Sequence, residues 1–386
     1  MNNRPPNKKC VMIIAGEASG DLHGAHLVRA MKALDPDLYF CGIGGPKLRA
    51  QGVDALVNSE SLAVMGVTEV ISSIAVILKS MKTIKTAITT LRPDLLILID
   101  YPGFNLHLAG FAKKQSIPVL YYISPKVWAW RQGRVKKMEK YVDHLALIFP
   151  FEVDFYKKFN VKTTFVGNPL LDYTPEVVDD PPAPADDVIH VGLLPGSRES
   201  EVSSLFPVML DAAAAMERRL KRPVKFLISV APSMGKNRLK KRYELHGSQV
   251  DAEFVTGNVK QVFDRVRMVI AASGTVTLEA AISCIPMVII YKMSAVSYAL
   301  GRTFVRVKHA GLASIIAGEE VAPELLQEDA EPEKIAETAC RFLTNEALYR
   351  SAREKLRDVR KKLGGPGASM RTAEIALAMM KSRQTN

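Results

Sequence analysis

The chain has 386 residues, of which 48% are hydrophobic and 24% are charged, and its formal net charge is +12. This length accommodates two domains of common size, and this composition excludes a disordered chain. The four cysteines form no CxxC pair and the histidines form no HExxH motif, so we expect no metal site. No apolar run is long enough to span a bilayer, and the short basic N-terminus predicts no secretory signal. The positive charge favours an acidic membrane surface, a phosphorylated substrate or nucleic acid, but aromatic residues, at 7%, are too few to favour nucleic acid.

The first half of the chain alternates apolar runs with turns and helical periodicity, as expected of βα units. The predicted strands cover residues 11–15, 39–43, 95–100, 119–123, 145–149 and 164–166. Glu17 lies in a glycine-containing turn after the first strand, although this turn lacks the GxGxxG pattern of dinucleotide-binding proteins. Asp100 ends the strongest predicted strand, LLILID. Ligands of open α/β sheets bind beyond the carboxyl ends of strands, so Asp100 is a candidate for chemistry, with a turn cap as the alternative.

Residues 61–88 form an unusual segment, in which apolar side chains recur at helical spacing beside Lys79, Lys82 and Lys85. An apolar face next to a lysine-rich face is typical of a helix that lies on a membrane surface. The alternative is a helix whose apolar face packs on the core and whose lysines face solvent. The apolar positions concerned include Met65, Val67, Val70, Ile74, Ile77 and Leu78.

A Pro-rich, acidic stretch without periodicity, residues 174–187, predicts a linker. The βα pattern then resumes, with predicted strands at residues 188–194, 225–230, 253–255, 268–272 and 286–290. Two turns in this half are suited to bind anions, because each joins a strand to a helix N-terminus with unpaired N–H groups. The 196–198 turn consists of Gly196, Ser197 and Arg198, and the 273–275 turn consists of Ser273, Gly274 and Thr275.

The 273–275 turn has the features of a nucleotide site. We expect Ser273 or Thr275 to cap the helix that follows, and Gly274 to let a ligand approach the backbone closely. Glu279 lies one helical turn after Thr275, where its carboxylate could hold a ribose hydroxyl while a phosphate binds at the turn. The alternative is an ordinary strand-to-helix turn with a capping hydroxyl.

These patterns predict an α/β protein with two Rossmann-like doubly wound domains that face a cleft. We expect the N-terminal domain over residues 1–173, the linker over 174–187 and the C-terminal domain over 188–365. A cleft between two such domains is the usual ligand site. A carboxylate in one half and two anion-binding turns in the other suit a transferase that holds a nucleotide and an acceptor.

Eight short motifs then occur in an order that points to a family. They are AGEASGD (15–21), MGVTEV (65–70), IDYPGFN (99–105), SPKVWAWR (124–131), LPGSRESEV (194–202), ASGTVTLE (272–279), PELLQ (323–327) and PGAS (366–369). Together they span nearly the whole chain and resemble the lipid-A-disaccharide synthases, which are inverting glycosyltransferases of the two-Rossmann (GT-B) type. The chain departs from the family pattern at Gly103, Asn168 and Ser314.

The resemblance implies a reaction in lipid A (lipopolysaccharide) biosynthesis of Gram-negative bacteria. UDP-2,3-diacylglucosamine donates its sugar to 2,3-diacylglucosamine 1-phosphate, giving a β-1,6-linked disaccharide phosphate and UDP. The family needs no metal or other cofactor and no nucleic acid, and it works as a peripheral protein on the cytoplasmic face of the inner membrane. Because both substrates carry acyl chains, the apolar face of residues 61–88 is expected to contact acyl chains or the anionic membrane surface. The tail, residues 366–386, is expected to pack on the N-terminal domain or, by exchange, on the partner protomer of a homodimer.

The resemblance also assigns roles to residues. Asp100 matches the catalytic aspartate and is the candidate base for the acceptor hydroxyl, while Glu17 orients the acceptor or neighbours Asp100. The expected donor-binding residues are Gly196, Ser197, Arg198, Ser273, Gly274, Thr275, Glu279, Ser314 and Gln327. The alternatives are another UDP-sugar enzyme on the same fold, a UDP-GlcNAc 2-epimerase or a peptidoglycan-type transferase, and a basic module that binds membrane or RNA.

Overall fold

The computed structural model describes residues 5, 8–63, 70–129, 132–174, 188–292, 309 and 311–382. The chain divides into two compact units, which are considered separately. The first unit comprises residues 1–173 together with 364–386, and the second comprises residues 174–363. Each unit contains one open parallel sheet covered by helices.

The first unit has a seven-stranded sheet in its described part, with the strand order β3-β2-β1-β4-β5-β6-β7. The strands are β1 Cys10–Ala15, β2 Tyr39–Gly44, β3 Asp54–Asn58, β4 Leu95–Ile99, β5 Val119–Tyr122, β6 His144–Leu147 and β7 Thr163–Phe165. The central strands β1 and β4 are buried over their whole length, as uninterrupted apolar runs between two helix layers must be. The chain leaves β1 toward β2 and later returns to β1's other side as β4. The topological switch point of this sheet therefore lies between β1 and β4.

The second unit repeats this plan with six strands in its described part, in the order β10-β9-β8-β11-β12-β13. They are β8 Ile189–Leu194, β9 Val224–Val230, β10 Ala252–Thr256, β11 Met268–Ala272, β12 Met287–Tyr291 and β13 Glu324–Leu326. All registered pairs are parallel, and the switch point lies between β8 and β11. The prediction of two Rossmann-like doubly wound units is thus confirmed.

Two edge strands, β3 and β13, were not predicted. Strand β3 (DALVN) has only half-buried residues, and β13 (ELL) has three residues, so neither carries the long apolar run of a central strand. Both are held by parallel pairing to a neighbour that is itself well defined, β2 for β3 and β12 for β13. The formation of such strands depends more on pairing with a neighbouring strand than on local sequence.

Helices cover the faces of both sheets. In the first unit they are α1 Ala18–Leu34, α2 Pro46–Ala50, α3 Glu60–Ala63, α4 Val70–Leu91, α5 Pro102–Lys114, α6 Val135–Tyr141 and α7 Pro150–Tyr156, with 3-10 turns at Gln132–Arg134 and Pro169–Asp172. The second unit contains α8 Glu199–Arg219, α9 Lys236–His246, α10 Lys260–Phe263, α11 Thr275–Ile282, α12 Leu312–Ala317, α13 Pro332–Thr344 and α14 Glu346–Lys362, with a 3-10 turn at Gln327–Asp329.

The tail forms a further helix, α15 Ala368–Ser382, which packs against α1 in the first unit. Asp172 caps its N-terminus, because the carboxylate accepts hydrogen bonds from the amides of Gly367 at 2.7 Å, Ala368 at 3.0 Å and Ser369 at 3.0 Å. An acidic cap of this kind also complements the helix dipole. The exchange of this tail between protomers stays a prediction.

Helix α4 presents an apolar surface to solvent. Ile74 is 52% exposed, Val76 is 36% exposed and Leu78 is 63% exposed, next to the exposed Lys79 and Lys82. Ile74 and Leu78 lie one helical turn apart and form an exposed apolar pair, whereas Val76 lies on another side of the helix. None of the described helices is both long and apolar enough to cross a bilayer.

The predicted apolar face of this segment needs one correction. Ile77 was grouped with Ile74 and Leu78, but it packs against the hydrophobic core of the first unit. The helical repeat places Ile77 above the buried Ile84, whereas Ile74 and Leu78 point away from the sheet. Met65 and Val67 lie outside the described residues, and Val70 is the first residue of α4.

Candidate active site

The switch point of the first unit brings Glu17 and Asp100 together. Ala15 and Ile99 are the last registered pair of β1 and β4, so the residues that follow them leave the sheet side by side. Contact between the two turns is close, since a Cβ placed on Gly16 would lie 2.6 Å from the ring of Tyr101. Only glycine therefore fits at position 16, and Glu17, which follows it, is exposed at the start of α1.

Asp100 is held in a strained backbone conformation. Its φ is 43° and that of Tyr101 is 47°, both in the left-handed region that side-chain-bearing residues rarely occupy. Two buried side chains hold its carbonyl oxygen: Asn105 Nδ2 donates at 2.6 Å and the Tyr121 hydroxyl donates at 2.5 Å. Asn105 Nδ2 also donates to the carbonyl of Ile99 at 3.1 Å. Strain that the surroundings stabilise in this way concentrates at functional sites.

Asn105 and Tyr121 were missed as supporting residues. Asn105 lies five residues beyond Asp100, on α5, and Tyr121 lies on the neighbouring strand β5. The polar Asn105 at the end of the motif IDYPGFN was the one available signal, but the pairing with Tyr121 depends on strand order.

The environment of Asp100 raises its pKa to about 6. Burial of the half-buried carboxyl is the largest cause, and the negative charge of Glu17 adds to it. The exposed Lys126 and a hydrogen bond from the backbone of Tyr101 act in the opposite direction. A carboxylate with a pKa near neutrality accepts a proton more readily than an ordinary aspartate while still being ionised at neutral pH.

The switch point of the second unit brings the two predicted anion-binding turns together. Leu194 of β8 pairs with Ala271 of β11, so the 196–198 turn and the 273–275 turn leave adjacent strands at the same edge of the sheet. Helix α8 begins directly after the first turn and α11 begins within the second. Two helix N-termini therefore meet where ligands of doubly wound sheets usually bind.

The 273–275 turn is open, but it is not capped as expected. Neither Ser273 nor Thr275 caps α11; Gly274 is the N-cap residue, and Thr277 Oγ1 donates to its carbonyl at 2.8 Å. The described residues provide no acceptor for the amides of Gly274 and Thr275. A Cβ on Gly274 would meet no atom of the described residues within 4 Å, so in this part of the chain a ligand has room to reach these amides.

Glu279 lies on α11 one turn beyond Thr275, as predicted, and it is half-buried. Burial raises the pKa of its carboxyl, and no hydrogen-bond donor for this carboxylate is found among the described residues. A desolvated carboxylate without a partner next to open amides is suited to accept hydrogen bonds from ligand hydroxyls.

The 196–198 turn is occupied by a side chain of the protein itself. Gly196 has a φ of 107°, which favours glycine, and Glu201 in the first turn of α8 folds back over it. Glu201 Oε2 accepts hydrogen bonds from the amides of Ser197 at 3.2 Å and Arg198 at 3.3 Å. Its Oε1 accepts from the exposed guanidinium of Arg198 at 2.9 Å. Sequence reasoning did not identify Glu201 as a partner of these donors.

The two remaining predicted donor-binding residues lie elsewhere in the second unit. Ser314 is fully buried in α12 and its Oγ accepts a long hydrogen bond from the amide of Val321 at 3.4 Å, so its side chain supports the chain beyond α12. Gln327 follows β13, two strands away from the switch point, and its φ of 56° makes it another left-handed residue at a strand end. Helix α12 packs against α11, the helix that begins at the 273–275 turn, and a role of Ser314 in donor binding stays a prediction.

Two departures from the family pattern are accommodated locally. Asn168 is buried and caps the 3-10 turn Pro169–Asp172, where its Oδ1 accepts from the amide of Leu170 at 3.0 Å. A Cβ on Gly103, at the start of α5, would meet no described atom within 4 Å, so a larger side chain would also fit there. In the described ranges no group of three or more His, Cys, Asp or Glu side chains is placed to hold a metal ion.

Solved structures with the same fold define the class of protein. A UDP-N-acetylglucosamine 2-epimerase from Listeria monocytogenes is 14% identical with a TM-score of 0.62, covering 98% of this chain and 97% of that chain. CalG4, the calicheamicin glycosyltransferase, is also 14% identical with a TM-score of 0.59, covering 96% and 99%. At this identity the likeness shows the fold alone, which is the two-Rossmann GT-B fold of glycosyltransferases.

Sequence comparison identifies the family. A family model described as lipid-A-disaccharide synthetase matches residues 11–379. The lipid-A-disaccharide synthase of Geobacter metallireducens is 46% identical over 97% of this chain and 98% of its own length, and that of Nitrosococcus oceani is 42% identical over 98% of both. The chain belongs to the lipid-A-disaccharide synthase family and is a glycosyltransferase, which confirms the resemblance found in the eight motifs.

Proposed function

We propose that the chain transfers 2,3-diacylglucosamine from UDP-2,3-diacylglucosamine to 2,3-diacylglucosamine 1-phosphate, with inversion at the anomeric carbon. The products are the β-1,6-linked disaccharide 1-phosphate and UDP. Family membership over residues 11–379 supports the reaction class. The observation that carries the mechanism is Asp100, a half-buried carboxylate with a pKa near 6, presented by a strained turn at a switch point beside Glu17.

Asp100 acts as the general base in this proposal. The acceptor hydroxyl must lose a proton as it attacks the anomeric carbon, and the carboxylate accepts that proton. The raised pKa strengthens Asp100 as a base, and the hydrogen bonds from Asn105 and Tyr121 keep its backbone in position. Glu17 raises the basicity of Asp100 through its charge and is exposed to meet hydroxyls of the acceptor.

The second unit binds the donor in this proposal. UDP leaves with growing negative charge on its diphosphate, which is stabilised by donors that are already oriented. The open amides of the 273–275 turn and the Arg198 guanidinium are such donors, and the dipoles of α8 and α11 point toward the same place. Glu279 accepts hydrogen bonds from the ribose hydroxyls. Gln327 contacts the diphosphate or the sugar from the end of β13.

The apolar surface of α4 contacts the acyl chains or the membrane in this proposal. Ile74, Val76 and Leu78 provide the exposed apolar area, and Lys79 and Lys82 lie beside it. Basic residues near an anionic membrane surface each contribute about 1 kcal/mol of binding. We therefore expect peripheral binding to the cytoplasmic face of the inner membrane, where both acylated substrates reside.

A product assay with purified protein tests the proposed function. The protein is incubated with the acylated acceptor and with either UDP-2,3-diacylglucosamine or UDP-GlcNAc, and products are identified by mass spectrometry. We expect the disaccharide phosphate and UDP to form from UDP-2,3-diacylglucosamine and the acceptor, and not to form when UDP-GlcNAc is the donor. Isomerisation of UDP-GlcNAc without the acceptor would instead indicate an epimerase, and no turnover of either donor would reject the proposal.

A further inference from the structure

Glu201 uses both of its carboxylate oxygens at the 196–198 turn. One oxygen accepts from two backbone amides and the other accepts from the Arg198 guanidinium. The Glu201 side chain is only 12% exposed, whereas Arg198 is 75% exposed. An anion with two oxygens is thus already bound by the donors of this turn, and it belongs to the protein.

The same donors are those that a diphosphate would use. Backbone amides at a helix N-terminus and a guanidinium fork bind phosphate and carboxylate by the same geometry. The fit around Glu201 is tight, since a Cβ on Gly196 would lie 2.6 Å from its Oε2 and 3.0 Å from its Cβ. The amides of Ser197 and Arg198 therefore serve one anion at a time.

A second carboxylate in the same helical turn provides a comparison. Glu199 pairs with Arg238 at 3.2 Å and with Arg242, both on α9, whereas the Ser197 and Arg198 amides donate to Glu201. The turn has another support as well, because Ser233 Oγ donates to the carbonyl of Ser197 at 2.7 Å. Glu201 and Glu199 therefore carry the same charge close to the same helix end, but it is Glu201 that accepts hydrogen bonds from the turn amides.

We propose that Glu201 is a specificity-determining residue that competes with phosphate groups for the amides of Ser197 and Arg198 and for the Arg198 guanidinium. The inference rests on the proposed function of this switch point as the diphosphate site. A diphosphate tethered to a nucleoside is also held by the 273–275 turn and Glu279, so it displaces Glu201 from these donors. Inorganic phosphate lacks those additional contacts and is excluded. The residue thus favours the nucleotide donor over abundant free phosphate.

Calorimetric titration of the full chain with inorganic phosphate and with UDP tests this idea. We compare the unchanged protein with Glu201→Gln, Glu201→Asp and the matched control Glu199→Gln. Shortening the side chain in Glu201→Asp keeps the charge but withdraws the oxygens from the amides. We expect both position-201 variants to bind phosphate about tenfold or more tightly than the unchanged protein, and Glu199→Gln to stay within about twofold. In the position-201 variants, the affinity for UDP should increase less than the affinity for phosphate.

Four results would overturn the proposal. Phosphate binding that is unchanged or weaker in both position-201 variants would show that Glu201 does not compete. An equal gain in Glu199→Gln, or a gain in Glu201→Gln without one in Glu201→Asp, would assign the effect to charge at a distance. Glu201 is the N3 residue of α8 and forms a capping box by accepting from the Arg198 amide, so loss of folding in both position-201 variants, seen by thermal melting, would show that this capping is its role. Failure of the unchanged protein to bind UDP would count against the proposed function itself.

Discussion

The switch point between β1 and β4 and the one between β8 and β11 share one strand plan, but different groups line them. In the first unit, Glu17 and Asp100 present two carboxylates, and the strained turn at Asp100 is held by buried side chains. In the second unit, two helix N-termini and Arg198 present N–H donors and positive charge. The same topology thus presents two carboxylates in one unit and N–H donors suited to bind an anion in the other.

The difference shows how burial and backbone geometry divide the two tasks. A base benefits from burial and a like charge nearby, and both raise the pKa of Asp100. An anion site benefits from oriented amides, which require a helix start and small residues such as Gly274. Neither switch point therefore has the features that the task of the other one requires. Four predictions test this division, in order of decreasing expected effect.

Replacing the base should have the largest effect. We expect Asp100→Asn to lower kcat by about 10²–10⁴-fold, because an amide cannot accept the proton of the acceptor hydroxyl. The Kd for UDP should be unchanged, since the donor contacts lie in the other unit. Steady-state kinetics and calorimetry measure the two quantities. Near-normal turnover in this variant would remove Asp100 from the role of base.

Removing the Arg198 guanidinium from the second switch point should have the second-largest effect. We expect Arg198→Ala to lower kcat/KM by about 30–1000-fold, which corresponds to roughly 2–4 kcal/mol of lost transition-state stabilisation. Arg238→Ala is the matched control, because Arg238 also lies near the start of α8 but pairs with Glu199. Its kcat/KM should stay within about twofold. Equal losses in the two variants would indicate a general field effect of positive charge.

Replacing Glu279 should separate the proposed recognition of the ribose from that of the diphosphate. We expect Glu279→Gln to weaken UDP binding by about tenfold, the loss of roughly 1.5 kcal/mol expected for a hydrogen bond to a charged group. Binding of inorganic pyrophosphate should be unaffected. Calorimetry with both ligands makes this measurement. If both ligands weakened together, Glu279 would act on the turn itself and the ribose assignment would be wrong.

The smallest expected effect is a shift of the pH profile of kcat/KM. As Asp100 must be ionised to act as a base, kcat/KM should fall as pH decreases through about 6. The charge of Glu17 contributes to the raised pKa of Asp100, so Glu17→Gln should lower that pKa and move the acidic limb to lower pH. The variant then retains relatively more of its activity at pH 5 than the unchanged protein. An acidic limb that stays in place, or moves to higher pH, would contradict the proposed coupling.

Much of this organisation could be predicted from the sequence because it depends on local patterns. Apolar runs such as those of β1 and β4 predicted buried strands, and the turns that follow them predicted Glu17, Asp100 and the two anion-binding turns as candidates. Local patterns also misled. Ser273 and Thr275 are good capping residues, but neither caps α11, and Ile77 shares the helical repeat of an exposed face while packing inward.

Strand order alone decided which candidates lie together. Register between β1 and β4 places Glu17 beside Asp100, and register between β8 and β11 places the 196–198 turn beside the 273–275 turn. Pairing between strands distant in the chain depends on the packing of the whole sheet, and no local window contains that information. Burial also depends on the packing of the whole unit. It raises the pKa of Asp100, and it encloses the side chain of Ser314.

By itself, then, the sequence determined the family, the two α/β units and most of the candidate residues, because motifs and hydrophobic periodicity are properties of short segments. Only the tertiary structure decided that Asn105 and Tyr121 hold Asp100 in its strained conformation and that Glu201 occupies the amides of the 196–198 turn. These are contacts made by side chains whose positions follow from packing, so they appear only once the chain is folded.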